Sequence, residues 1–402
     1  MAVLSDPLPH PQGWWRHLAL IDHHSHAWSA TPLSLGELAS RLTEAVEGPW
    51  GFDTLLGMSF RRWCAPVLDL APRCPPADYA ERRAELGPEE VGRRFVRAAG
   101  LDALLVDTGV SAPGLLDLSE VSRISATPVH QILRLESLAE EVMTDDADPA
   151  QLADRFADRL AAALADRLAG DPPVVACKSI AAYRHGLDLD PARPSPSEVR
   201  EAAAAWLARP VPGGPGPARL VHPVILRHLL WSGIDAGLPL QIHTGMGDVD
   251  EDLHRCDPSL LTPFLRASAA EGTPVMLLHC YPYHRHAAYL ASVFPHVYLD
   301  VGLAGTFVGH RLPVVLAETL ELAPFTKLLY ASDAFGLAEL HYLSAVRFRE
   351  ALVQALEPLR STEGFDHGEI GRLAGLIGSG NAQRVYSLAA RSPEPDQSRQ
   401  GR

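Results

Sequence analysis

An α/β fold built on a parallel sheet, long enough to close into a barrel, is predicted by two features of this 402-residue chain. Short apolar runs recur along it, each closing on a polar residue, and helix-like patterns fill several of the intervals. Continuous apolar runs suit strands covered on both faces. Alternation of such strands with helices marks an α/β protein. With 47% hydrophobic and 21% charged residues the chain has the apolar content for a sizeable core. Its length fits two domains or one barrel of roughly 250 residues carrying insertions.

The elements follow in order. Leu18 to Asp22 predicts the first strand. Residues from about 31 to 100 are too many for a simple crossover and carry helical patterns of their own, including the Trp-, Arg- and Phe-rich segment Met58 to Trp63; they predict a helical insertion near the barrel mouth. Ala103 to Asp107 and Val129 to Glu136 predict the second and third strands, and Pro149 to Leu168 a helix. The fourth strand is Val174 to Lys178. Helices at Ser197 to Leu207 and His222 to Ala236 flank RPVPGGPGPA, a run whose prolines and glycines predict a loop. Pro239 to His243, Val275 to His279, Val297 to Asp300 and Leu328 to Asp333 complete eight strands, with helices at Pro258 to Glu271 and Glu339 to Leu356. A helical tail ends in GNAQRVYSL, and a disordered polar terminus is expected from Ser392 onward.

Charge narrows the partners. The 35 basic and 49 acidic residues give a net charge of -14, which offers no general attraction to nucleic acid or to anionic membranes. No apolar run approaches the ~18 residues of a membrane span. The opening MAVLSDPLPH lacks a charged and then apolar leader. A cytoplasmic protein with a small-molecule partner is expected, and a homodimer is the base-rate assembly. Five cysteines without a C-x-x-C pair fit reduced thiols.

Chemistry concentrates at strand ends. Asp22-His23-His24-Ser25-His26 follows the first run, and alternation would put Asp22, His24 and His26 on one face, where the two imidazoles could chelate one ion. His284 and His286 form a second such pair, but on a predicted helix that spacing turns the rings apart. His243, His279 and Asp333 each close a predicted strand. In a barrel those ends converge, so the set could hold a zinc-like ion while leaving a position for water.

Only Lys178 and Lys327 are lysines among the 35 basic residues. Lys178 ends the run VVACK, where an isolated ammonium is costly to bury. Its Nζ can react with carbon dioxide to give a bridging carbamate, which a guanidinium cannot do. An ion pair with Glu136, or a role as a substrate-binding cation, would also account for it. Lys327 reads as a solvated charge at a strand start. Arg134 and Glu136 at the third strand's end, Tyr183 and Arg184 after Lys178, and Tyr281 and Tyr283 after His279 are candidates to contact substrate. Arginine among them suits a carboxylate-bearing molecule. Cys177 and Cys280 alternate toward the helix layer and are not nucleophile candidates.

Asp22-x-His24-x-His26, Lys178, His243, His279 and Asp333, in that order, resemble the amidohydrolase superfamily of metal-dependent barrel enzymes. The segments ACKSIAAYRHGL, QIHTG, LLHCYPY and YASDAF are more narrowly similar to the FluG-type amidohydrolase domain, and GNAQRVYSL to that family's terminal helix. The resemblance implies a distorted (β/α)8 TIM barrel, here one domain over residues 1–391 with the helical insertion after the first strand, and a site at the carboxyl ends of the strands. In the two-metal form His24, His26 and Asp333 would bind one ion and His243 and His279 the other, with carbamylated Lys178 bridging. In the one-metal form His24, His26, His243 and Asp333 would be ligands and His279 an acid/base. Zinc is the expected metal, with manganese or iron as alternatives.

Three functions remain to be separated: hydrolysis of an amide or related C–N bond of a small carboxylate-containing molecule, with Asp333 carrying the proton; non-oxidative decarboxylation of an unsaturated or aromatic acid, with His279 protonating carbon; and a non-catalytic barrel scaffold. The complete ligand set argues against the scaffold, and a bridging carbamate would favour hydrolysis.

Overall fold

A computed structural model describes residues 13–45, 50–110, 114–143, 149–170, 172–208 and 219–388. The Pro/Gly-rich run at 209–218 and the terminus from Ser392 lie outside the described residues. Seven strands, β1 (Leu20–Ser25), β2 (Leu101–Asp107), β3 (Val129–Arg134), β4 (Val174–Ser179), β5 (Leu240–His243), β6 (Val275–Leu278) and β7 (Val297–Leu299), form one sheet in sequential order. Every adjacent pair is parallel. Helices connect them, giving the curled, barrel-like α/β architecture expected for buried apolar strands.

The eighth run is not a strand. Its backbone makes a few hydrogen bonds to each edge of the curled sheet, with one isolated bridge between Leu299 and Leu328, instead of a ladder. On the β7 side Leu299 N donates to Lys327 O (3.1 Å) and Leu329 N to Leu299 O (3.0 Å). On the β1 side His23 N donates to Tyr330 O (3.1 Å), Asp333 N to His24 O (3.0 Å) and His26 N to Ala334 O (2.8 Å). A left-handed φ of 50° at Asp333 breaks the pleat that a regular ladder would need. The segment therefore spans from β7 to β1 and carries Asp333 between them.

Other boundaries shift for identifiable reasons. β1 runs on through Ser25, so His23 and His24 belong to the strand itself and His26 follows its last residue. Its pairing with β2 shifts register between Asp22 and Ser25, and the expected alternation is lost there. Asp22 consequently turns away from His24, accepting from Ser332 N (2.8 Å) and Ser332 Oγ (2.5 Å), with His341 Nδ1 3.5 Å away. β3 stops at Arg134, and Glu136 falls in the first turn of the helix Leu135–Val142. The run Pro258 to Glu271 divides into two 3-10 turns around a short helix, Thr262–Ser268.

Two apolar clusters result. The larger packs the outer strand faces against the helices and contains Cys177 and Cys280. The smaller fills the inside with Ile21, Leu105, Ile132, Met276 and Leu329, closed off by Ala382, Val385 and Tyr386 from the chain's last described helical turns. The interval between β1 and β2 carries the helices Leu35–Ser40, Leu55–Trp63 and Pro76–Ala99. A Ser34/Glu37 capping box starts the first, and Thr54 caps the second. No described helix is long and apolar enough to cross a membrane.

Because Asp22 is fully buried and holds Ser332 through two hydrogen bonds, Asp22→Asn is expected to cost about 2–3 kcal/mol in urea denaturation. An unchanged midpoint would show that this tie does not hold the closing segment.

Candidate metal centre and cavity

The strand ends bring the sequence-identified residues to one place. Asp333 is the hub: its Oδ1 lies 3.3 Å from both His24 Nε2 and His26 Nε2, and its Oδ2 lies 3.4 Å from His279 Nε2. His243 joins through ring contacts, its centroid 4.9 Å from that of His279. Lys178, buried at the end of β4, places Nζ 3.2 Å from His24 Nε2.

Supporting contacts orient the imidazoles. His24 Nδ1 donates to Gln241 Oε1 (2.7 Å), which leaves Nε2 to face the centre. Gln241 is itself fixed by donating Nε2 to His23 O and to Tyr386 Oη, both at 2.8 Å. His26 Nδ1 lies 3.3 Å from Asp107 O. Asp300 accepts from His279 N (2.8 Å) and Gly302 N (2.7 Å), holding His279 at a left-handed φ of 70°. A side chain at Gly302 would crowd Asp300 and His279.

Burial and neighbouring charge set the protonation states. Burial, helped by Lys178, lowers the His24 pKa to about 4, and burial lowers that of His279 well below the usual histidine range. Both are neutral imidazoles near pH 7, the form that binds metal. Burial opposes ionisation of Asp333, yet His279 together with His24 and His26 holds it well below the carboxylate range. Burial brings Lys178 down to about 8, against the pull of Asp107 and Asp333.

The donor set fits a divalent cation. His24, His26 and Asp107, and likewise His24, His279 and Asp333, offer ligand atoms within 4.8 Å of one another. The Nε2 atoms of His243 and His279 are buried without a hydrogen-bond partner. Glu251 Oε1 stands 2.6 Å from His243 Nε2, close enough for an ion pair, although neither atom meets hydrogen-bond geometry. Buried polar atoms of this kind call for a ligand.

Above the centre opens a cavity of about 560 Å³. His26, Lys178, His243, His279 and Asp333 line it, as do Tyr183, Arg134 and Arg184. Tyr183 packs its ring 4.3 Å from that of His243. Both arginines are engaged, Arg134 with Asp107 (2.6 Å) and Arg184 with Glu140 (2.7 Å). Glu136 and Tyr283 do not line the cavity. Glu136 is buried beneath it, accepting from Ser179 Oγ (2.6 Å) and Ile180 N (3.0 Å), and so braces the end of β4 without pairing with Lys178. Tyr283 stacks on His286. His284 and His286 diverge to Glu318 and Asp257, as their helical spacing predicts.

Sequence reasoning passed over Arg41 and Glu44 in the insertion, and Asp248 and Glu251 after His243. The acidic run following QIHTG was the available signal for the last two; nothing local marked the first two. Burial raises the Glu44 pKa to about 7, with Asp333, Asp248 and Glu251 adding to it. A carboxyl that holds its proton more tightly when folded stabilises the protein below its unfolded pKa, and that benefit falls away as pH rises toward 7. In metal-free protein, Glu44→Gln should flatten the decline of Tm between about pH 4.5 and 7. An unaltered pH profile of Tm would contradict this.

Comparison with known proteins agrees with this fold. The family described as Amidohydrolase matches residues 128–388. The chain belongs to the amidohydrolase family. It is 31% identical over 314 residues to protein fluG of Emericella nidulans, covering 73% of this chain but 36% of that protein, so it spans about a third of the relative's length. The crystal structure of a protein described as a putative metal-dependent hydrolase, from Lactobacillus casei, is 30% identical and superposes with a TM-score of 0.79, covering 93% of this chain and 96% of the other. A uronate isomerase from Bacillus halodurans shares the fold at 15% identity and a TM-score of 0.59, covering 93% and 94%.

Proposed function

We propose that this amidohydrolase is a metal-dependent hydrolase cleaving an amide or related C–N bond of a small carboxylate-containing molecule. The observation that carries the reading is the convergence of three imidazoles on one ionised, buried carboxylate, Asp333, with His243 packed on His279 and Lys178 beside His24, at the floor of a cavity. The fluG relative and the Lactobacillus casei hydrolase support it.

His24, His26 and Asp333 would hold one divalent ion, zinc being the expected metal, and His243 and His279 a second, with Lys178 as a carbamate between them. The lowered pKa of Lys178 favours this, since only the neutral amine adds to carbon dioxide. When bound, the metal supplies Lewis acidity and a water whose pKa lies near neutrality. Asp333, kept ionised by its imidazole neighbours, accepts a proton from the attacking water and returns it to the departing nitrogen. Gln241 and Asp300 keep the rings of His24 and His279 in place during that transfer. Tyr183 and Arg184 form the wall beside the reacting group.

Two measurements test the proposal. Elemental mass spectrometry of protein purified without chelators should find near two ions per chain, rising with added bicarbonate; a chain that takes up no metal would refute it. Against a panel of N-acyl amino acids and γ-glutamyl amides, Asp333→Asn should lower turnover by about 10³-fold with an unchanged circular dichroism spectrum. Undiminished turnover would remove Asp333 from the chemistry, and carbon dioxide release from aromatic or unsaturated acids would replace hydrolysis with decarboxylation.

A further inference from the structure

Four arginines line the cavity, and three of them are neutralised. Arg134 pairs with Asp107, Arg184 with Glu140 and Arg219 with Asp250. Arg41, immediately after the helix Leu35–Ser40, has no ion pair or side-chain hydrogen bond among the described residues. Glu37, one turn back, attracts it electrostatically without a direct contact, its Oε2 accepting from Ser34 N and Oγ in the capping box. A half-buried guanidinium left this way is incompletely compensated, and its planar fork suits a carboxylate.

The surrounding backbone is shaped around this guanidinium. Gly336 sits at φ 71°, and a Cβ there would fall on Arg41 Nη1, so the group rests against bare backbone. Gly336 N donates to Ala27 O (3.0 Å) and Ser29 N donates to Gly336 O (3.1 Å), fixing that floor to the chain after β1. Gly336 follows Asp333 by three residues, which limits their Cα separation to about 11 Å.

We propose that Arg41, seated on Gly336, is the receptor for the substrate's carboxylate, and that the substrate is an amide whose free carboxylate stands a few carbons from the scissile carbonyl. This rests on the hydrolase reading and moves carboxylate recognition from Arg134 and Arg184, which the sequence suggested, to a residue of the insertion. A short dicarboxylate spans the two positions, one end at the metal centre and the other at Arg41.

Glutarate is the probe, and butyrate, lacking the second carboxylate, is its control; both are titrated calorimetrically into the metal-loaded, full-length protein. Glutarate should bind more tightly than butyrate. Arg41→Gln should weaken glutarate by about tenfold or more to the level of butyrate, leaving butyrate binding and metal content unchanged. Arg41→Lys should fall between, and Gly336→Ala should weaken glutarate with Arg41 still present. Glutarate binding that is absent from the wild type, or unaffected by Arg41→Gln, would overturn the assignment. If the protein takes up no metal, the hydrolase reading fails by itself, and Arg41-dependent glutarate binding is then read on the metal-free chain.

Discussion

A carboxylate enclosed by imidazoles at the closing point of a sheet is the constraint on which the rest of this structure turns. Asp333 is buried, ionised and within 3.4 Å of three histidines, His24 in β1, His26 just after it and His279 just after β6. Burial lowers the pKa of two of those histidines, so balancing its charge by protonating them is costly. Lys178 supplies one positive group nearby, with its own pKa lowered by burial. A divalent cation would resolve the imbalance, since it would satisfy the carboxylate and the orphaned Nε2 atoms together.

Keeping that cluster in place requires support from below and from the sides. Below, Tyr386 closes the apolar interior and sends its hydroxyl to Gln241, which fixes His24. A short stretch at the chain's end thus sets the orientation of an imidazole in the first strand. At the side, Asp22 gives up the position beside His24 to secure Ser332, the residue before Asp333. The register shift in β1 permits both: it turns Asp22 away from His24 and leaves His24 facing the centre.

Buried polar contacts tie the insertion to the barrel. Glu339, buried in the helix Ala338–Leu356, accepts from Arg83 Nε (2.8 Å) and Tyr79 Oη (3.2 Å). Arg349 of the same helix donates to Leu18 O, Ala99 O and Gly100 O. These buried, charge-assisted contacts hold the β1–β2 interval against the barrel. The chain just after its first helix presents Arg41 and Glu44 to the cavity over the candidate metal centre, and a cavity wall of this kind is where substrate choice would reside.

The sequence by itself determined the α/β class, the order of the strands and which strand ends carry histidine, lysine or aspartate. Those features are local: an apolar run declares a buried strand, and a polar residue at its end declares the rim. It could not determine that the eighth run would bridge two edges without a ladder, because the left-handed turn at Asp333 follows from hydrogen bonds to β1 and β7. Nor could it separate Glu136, which braces β4, from Arg41, which faces the cavity, since each is an ordinary charged residue in a helical stretch. The tertiary structure decided those roles, because compensation of a buried charge depends on which residues distant in the chain come within about 4 Å of it.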